Sequence, residues 1–233
     1  MSSLSLVLVR AKFAENISSA VKILDLGEDS LTQANGSEEN SLSRESRGLC
    51  MVLLFAGYEQ LLKATCREVL EHLKMQSGRV ADLHTGYRTL ALARAWQSME
   101  ATTKTEYWNV MSDRFVSGLY DDVSTINANE FPNDGSFMDR SQVTLVCNLF
   151  GFDDIHKVLG RTWDDLSQVR RRRNKVAHGE ATAAEVGRDF TYAEAVDLVG
   201  RWDTGWNAFL DCVERTIASG PDHFFRSSHA RNS

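Results

Sequence analysis

An all-α fold, a helical bundle around one long central helix, is what this sequence predicts, on two grounds. Only 2 prolines and 15 glycines punctuate 233 residues, too few breakers for a sandwich of short strands joined by frequent turns. Apolar residues also recur at three-and-four spacing over several long stretches, the period of an amphipathic helix. With 42% hydrophobic and 25% charged residues the composition is ordinary for a globular protein, which excludes collagen-like, coiled-coil-only and wholly disordered readings. The length allows one large domain or two small ones and is ample for a buried core.

The first expected helix covers residues 4–26, with Leu6, Val9, Phe13, Ile17, Ala20, Val21 and Leu24 on its apolar stripe and Gly27 as its stop. The start of the chain is apolar but has no basic residues before it, while Arg10 and Lys12 follow, the wrong order for a secretion signal. Residues 28–43 are polar and read as a solvated loop. From Arg44 to Lys74 the pattern of Leu49, Val52, Leu53, Ala56, Leu61, Ala64, Val69 and Leu73 predicts the longest helix. Its 51–55 stretch is apolar on nearly every side, as a central position requires. The apolar run at 51–56 is far below the roughly 18 residues of a bilayer span, so no membrane contact and a cytoplasmic location are expected.

Residues 76–118 read as weakly patterned helix and 119–138 as an acidic, turn-rich loop around Phe131, Pro132, Asn133, Asp134 and Gly135; together, 76–138 form an expected insertion. A short helix over 141–150, a second segment to Gly160, and a helix from Thr162 to Gly179 follow, the last with Asp165 in a capping role. Thr191 and Glu194 form a capping box ahead of a closing helix. Its stripe is Ala195, Val196, Val199, Trp202, Trp206, Phe209, Leu210, Val213 and Ile217. Residues 1–218 are thus read as one helical domain and 219–233, which contain His223, Arg226, His229 and Arg231, as a frayed tail.

Charge and cysteines narrow the chemistry. The net charge of −6 argues against wholesale nucleic-acid binding, but Arg170, Arg171, Arg172 and Arg173 with Lys175 leave room for a local basic site. Cys50, Cys66, Cys147 and Cys212 lie far apart with no CxxC pair, which suits reduced, buried thiols rather than zinc ligands or disulfides. Neither a metal-ligand cluster such as HExxH nor a glycine-rich phosphate loop is present, so no cofactor and no metal are expected.

An Arg followed five positions later by His occurs three times, as Arg67/His72, Arg79/His84 and Arg173/His178, and context must choose among them. The first lies among Glu68, Glu71 and Lys74 and reads as an exposed salt-bridging face; the second spans a loop. At about 100° per residue, Leu166, Val169, Val176 and Ala177 define an apolar arc and Arg173 falls near its middle. A guanidinium there needs an interface, an anion or a carboxylate such as Glu59. Asn174 and His178 share a neighbouring face, and His178 stands at the helix end, where the partial negative charge favours imidazolium. These groups suit phosphoryl transfer without a metal, although helix physics alone favours a structural arginine cluster with a capping histidine.

The string Arg173-Asn174-Lys175-Val176-Ala177-His178-Gly179 resembles the Arg-Asn-x-x-x-His signature of the HEPN superfamily, small all-α domains common in prokaryotic toxin and defence systems. Phe55-Ala56-Gly57-Tyr58-Glu59 looks like that family's aromatic-plus-Glu segment, and the likeness covers about residues 40–75 and 139–218. It implies a HEPN-type bundle and a homodimeric, metal-independent endoribonuclease, a toxin or anti-phage effector that acts on RNA and answers to an antitoxin or other regulator. In that mechanism a ribose 2′-OH attacks the adjacent phosphate. Arg173 and His178 from both subunits line one cleft: His178 moves protons, Arg173 stabilises the pentavalent charge, Asn174 orients, and Arg170, Arg171, Arg172 and Lys175 guide the backbone. The Tyr that some members carry two residues after the motif His is absent, since Glu180 and Ala181 follow Gly179. The superfamily also contains non-catalytic modules, so binding of nucleic acid, nucleotide or a protein partner is the alternative.

Overall fold

The computed structural model describes residues 4–33, 41–100, 103, 106–152 and 154–226. Among them are ten α-helices and no strands, only isolated backbone bridges between Arg79 and Asp122 and between Leu83 and Phe225. The first helix, α1 (Val7–Gln33), buries Val9, Phe13, Ala20 and Leu24 and does not stop at Gly27. A Cβ at Gly27 would overlap the side chain of Ser46, so this glycine serves close helix approach rather than termination. The expected loop at 28–43 is therefore helix at both ends, and its 34–40 part lies outside the described residues.

Next comes α2 (Ser41–Lys74), 34 residues long and about 50 Å at 1.5 Å per residue. It is the one helix among the described residues long and apolar enough to cross a membrane, and here it is a core helix. Cys50, Met51, Leu54, Tyr58, Leu62, Leu70 and Leu73 are all sealed from solvent on its several faces. The short α3 (Thr85–Ala91), α4 (Ala93–Glu100) and α5 (Tyr107–Val110), the last continued by a π-helical turn over Met111–Val116, fill the stretch expected to be an insertion. Val80, Leu83, Tyr87, Leu90, Val123 and Ile126 from this stretch join the same core as α2.

Asp139 caps α6 (Arg140–Phe150), accepting from the Arg140 amide at 2.8 Å, and left-handed Gly151 (φ 69°) ends it. After α7 (Ile155–Leu159), α8 (Arg161–Ala177) starts without a side-chain cap. Thr162 is buried and donates to the Arg201 carbonyl at 2.8 Å, and Asp165 makes a two-point ion pair with Arg201 (2.9 and 3.2 Å), so neither residue caps as expected. Gly179 (φ 70°) does end α8, with the Glu180 amide donating back to the Lys175 carbonyl at 2.9 Å. The short α9 (Ala183–Gly187) meets α2 backbone to backbone, because a Cβ at Gly48 would overlap the Ala183 carbonyl and one at Gly187 the Arg44 carbonyl. Buried Arg47 completes that junction by donating to the Gly187 carbonyl (2.9 Å) and the Ser43 hydroxyl (2.8 Å).

The closing α10 (Tyr192–Ile217) carries the expected capping box, and its stripe is buried except for Val196, which is 43% exposed. Trp202 and Trp206 face Tyr58 of α2 with ring centroids 6.1 and 4.6 Å apart, forming the centre of the core. Cys50, Cys66 and Cys147 are buried free thiols; burial pushes Cys50 and Cys147 up to about 12, so neither forms a thiolate near neutral pH.

The expected frayed tail is instead docked through residue 226. Phe224 is buried between Tyr87 and His72, and its carbonyl accepts from the His84 amide at 2.8 Å. Phe224 and Phe225 are the apolar signal that outweighs Gly220 and the charged residues nearby. His229 and Arg231 lie outside the described residues. Arg67 pairs with Glu68 on an exposed face at 3.1 Å, but His72 is buried (8% exposed) rather than part of that face.

Phe224→Ala should destabilise the fold by about 3 kcal/mol or more, the range for emptying a buried aromatic site, as read by urea denaturation. Burial holds the His72 pKa below its ordinary 6.5. The unfolded chain therefore binds more protons as pH falls through that value, and stability should decline on acidification. Replacing His72 with Gln should flatten that part of the profile, measured as denaturation midpoint against pH.

Candidate active site

The core face of α8 runs Leu166, Val169, Arg173, Val176, one residue per turn. Leu166 and Val169 are fully buried; Arg173 is half-buried, at the point where the helix leaves the core. Its guanidinium lies over the Phe55 ring of α2, 4.5 Å from the centroid, and one NH donates to the Asn174 side-chain oxygen at 3.0 Å. Ala177, placed on the apolar arc by the wheel, is exposed.

Arg173 opens into a cavity of about 180 Å³ between α2, α8 and the segment before α6. Phe55, Glu59 and Lys63 line it from α2, and Phe131, Asn133 and Phe137 from the segment. Glu59 thus shares the cavity with Arg173, but its ion pair is with Lys63, at 2.6 Å. Arg173 has no carboxylate partner among the described residues.

His178 lies outside that cavity. It is the residue that closes α8, its side chain is exposed, and it sits roughly 7.5 Å farther along the helix axis than Arg173. Asn174 is half-buried, and its side-chain oxygen accepts from Arg173. One protomer therefore brings Arg173, Asn174 and Glu59 together and leaves His178 to solvent.

The four arginines have separate fates. Arg170 donates to the carbonyls of Phe137 (3.1 Å) and Ser136 (2.6 Å) and to the Asp139 carboxylate (3.1 Å), so it is a structural clamp in this conformation and not a free basic group. Arg172 lies over the Phe190 ring at 4.8 Å, with its pKa lowered first by burial and raised in part by Asp189. Arg171 and Lys175 are exposed and carry no side-chain ion pair among the described residues. Only these two, of the four side chains expected to guide RNA, face solvent freely.

The acidic, turn-rich loop expected before α6 supplies cavity walls at Phe131, Asn133 and Phe137, a role that no local pattern in the sequence marks. Composition, two phenylalanines inside a turn-rich stretch, is the available signal. Phe137 (φ 54°) and Met138 (φ 68°) both occupy the left-handed region, a strain of order 1 kcal/mol each for such side chains. Hydrogen bonds hold them there: Gln142 accepts from the Met138 amide (3.1 Å) and donates to the Pro132 carbonyl (2.5 Å), and Tyr58 donates to the Met138 carbonyl (3.2 Å). Burial pushes the Tyr58 pKa well up, which keeps its phenol a donor.

Among the described residues no three His, Cys, Asp or Glu side chains gather as a metal-binding group. Compared with known protein families, with characterised proteins and with solved structures, the chain matches none.

Because Arg170 supplies three of the bonds that fix this segment, Arg170→Ala should lower stability by about 2 kcal/mol and open residues 131–139 to limited proteolysis while α10 stays protected. Denaturation with mass mapping of the first cleavage products checks both.

Proposed function

We propose that this protein is a metal-independent endoribonuclease of the HEPN type, a dimer whose active site is completed where two α8 helices meet. The observation that carries the reading is Arg173, a half-buried guanidinium that faces a ring and an amide oxygen and has no carboxylate to neutralise it among the described residues. A charge withdrawn from water stays unfavourable until an anion joins it, and a phosphodiester is the anion that a planar, forked donor suits. The Arg-Asn-x-x-x-His string supplies the remaining parts.

In this reading the 2′-OH attacks the neighbouring phosphorus, the 5′-oxygen leaves, and the products are a 2′,3′-cyclic phosphate and a 5′-OH. His178 carries protons between those oxygens. Arg173 stabilises the charge on the pentavalent phosphorus, with Asn174 fixing its orientation. Arg171 and Lys175 hold the RNA backbone. The setting of a toxin or anti-phage effector, with a regulator that restrains it, comes from the resemblance.

A second reading, a non-catalytic module binding nucleic acid, a nucleotide or a protein partner, is favoured by one observation: His178 lies outside the cavity of its own protomer's Arg173. A binding site needs no such histidine.

Cleavage of unstructured RNA in EDTA separates the two. The wild type should leave cyclic-phosphate ends, and His178→Ala and Arg173→Ala should each lose at least 100-fold in rate. If the cleft holds two reaction centres, each pairing Arg173 of one copy with His178 of the other, mixing the two inactive variants should restore part of the activity, because one of the two pairs in each mixed dimer keeps both residues. RNA binding that survives His178→Ala, with no cleaved ends from any form, would establish the binding module instead.

A further inference from the structure

We propose that the apolar cavity between α3, α4 and the π-helical turn is a binding site for an unbranched fatty acid, its carboxylate held by Arg88. The space is about 680 Å³, within the range of small-molecule sites, and shares no described wall residue with the cavity of Arg173. Its floor is one stripe of the α3–α4 run, where Arg88, Leu92 and Trp96 follow one another at four-residue spacing. The stripe crosses the joint between the helices without a break. There the Leu92 amide donates to the Arg88 carbonyl (3.1 Å) and the Trp96 amide to the Leu92 carbonyl (3.0 Å). Phe115 and Leu119 form the facing wall, which comes close because of Gly118, where a Cβ would lie 3.1 Å from Leu92 Cδ2. Phe115 stands on the π-helical turn, a winding that is rare and recurs at functional sites.

Charge sets the class of ligand. Arg88 is half-buried, donates to the Thr85 hydroxyl one turn back at a long 3.4 Å, and has no carboxylate partner among the described residues. An anion at that end of the cavity would complete it. Thr89 and Gln97 are the other polar walls, too few for a nucleotide or a sugar, which would bury polar groups without partners. The rest is hydrocarbon and ring, including the Trp96 indole, left 54% exposed. Folding gains nothing from that exposure, whereas an alkyl chain laid along it removes it from water. From Arg88 to Trp96 the stripe rises about 12 Å, the reach of an extended chain of about ten carbons. A cation at one end and apolar surface along the remainder match a linear chain with one terminal charge. A compact aromatic acid would leave the Trp96 end uncovered.

The test is calorimetric titration of the full chain with octanoate, nonanoate and decanoate, each below its micelle concentration, and with decanol and naphthoate. Arg88→Gln and Ala93→Trp are the variants, the melting temperature of each confirming its fold. Decanoate should bind at one site per chain, with affinity rising about fourfold for each methylene added from octanoate. Arg88→Gln should weaken decanoate about tenfold and leave decanol unchanged. Ala93→Trp, which fills the cavity, should abolish both. The proposal is overturned by equal affinity of the wild type for decanoate and decanol, by naphthoate bound more tightly than decanoate, by binding that Ala93→Trp retains, or by no saturable uptake. Self-association of the wild type that Ala93→Trp abolishes, with no fatty acid taken up, also overturns it and assigns the face to a second copy.

Discussion

Burial of α2 around most of its circumference is the constraint from which the rest of this architecture follows. With Cys50, Leu54, Tyr58 and Leu62 all sealed, this helix leaves water only the stripe that runs through Glu45, Leu49, Gln60, Lys63, Arg67 and Glu71. Each flanking element is placed by the need to cover one of its sides. The cover is close where side chains are removed, at Gly27, Gly48 and Gly187, so that α1 and α9 approach it more nearly than Cβ atoms would allow. With those sides taken, α8 reaches α2 along Phe55 and Glu59, and this contact fixes where Arg173 comes to rest.

The arginine run shows how a helix distributes one kind of residue. At about 100° per step, four consecutive positions look in four directions, and each guanidinium here meets what its direction offers. Arg170 meets bare carbonyls of the segment before α6, Arg171 meets solvent, Arg172 meets the Phe190 ring, and Arg173 meets the Phe55 ring. A tract that reads as one basic patch in the sequence is, in three dimensions, a clamp, a surface charge and two ring-stacked cations. Charge counted along the chain overstates what a nucleic acid would encounter.

Most of the helical frame was legible in the sequence. The period of α2, the capping box of α10 and the left-handed stop at Gly179 are local signals, and each turned out as expected because no distant contact opposed it. The misplaced features all depend on partners far away in sequence. Gly27 has the local mark of a stop but answers to Ser46, and Thr162 and Asp165 have the local mark of a cap but answer to Arg201. The tail was misread because its charged residues outnumber Phe224 and Phe225, though the two aromatics decide the energy. At the site, a helical wheel sufficed to place Arg173 at the edge of the core, while the cavity it opens into was hidden. That space is made by Phe131 and Phe137, roughly 40 positions earlier, and no local pattern links them to α8.

Tyr58 joins two regions of the molecule. Its hydroxyl holds the Met138 carbonyl of the cavity segment, and its ring lies against Trp206, with Trp202 beside them. Both indoles are wholly shielded from solvent. Any rearrangement that pulls the segment off the phenol therefore alters the surroundings of two shielded indoles, and once Trp96, Trp108 and Trp163 are replaced their emission would report on the cavity without an attached dye.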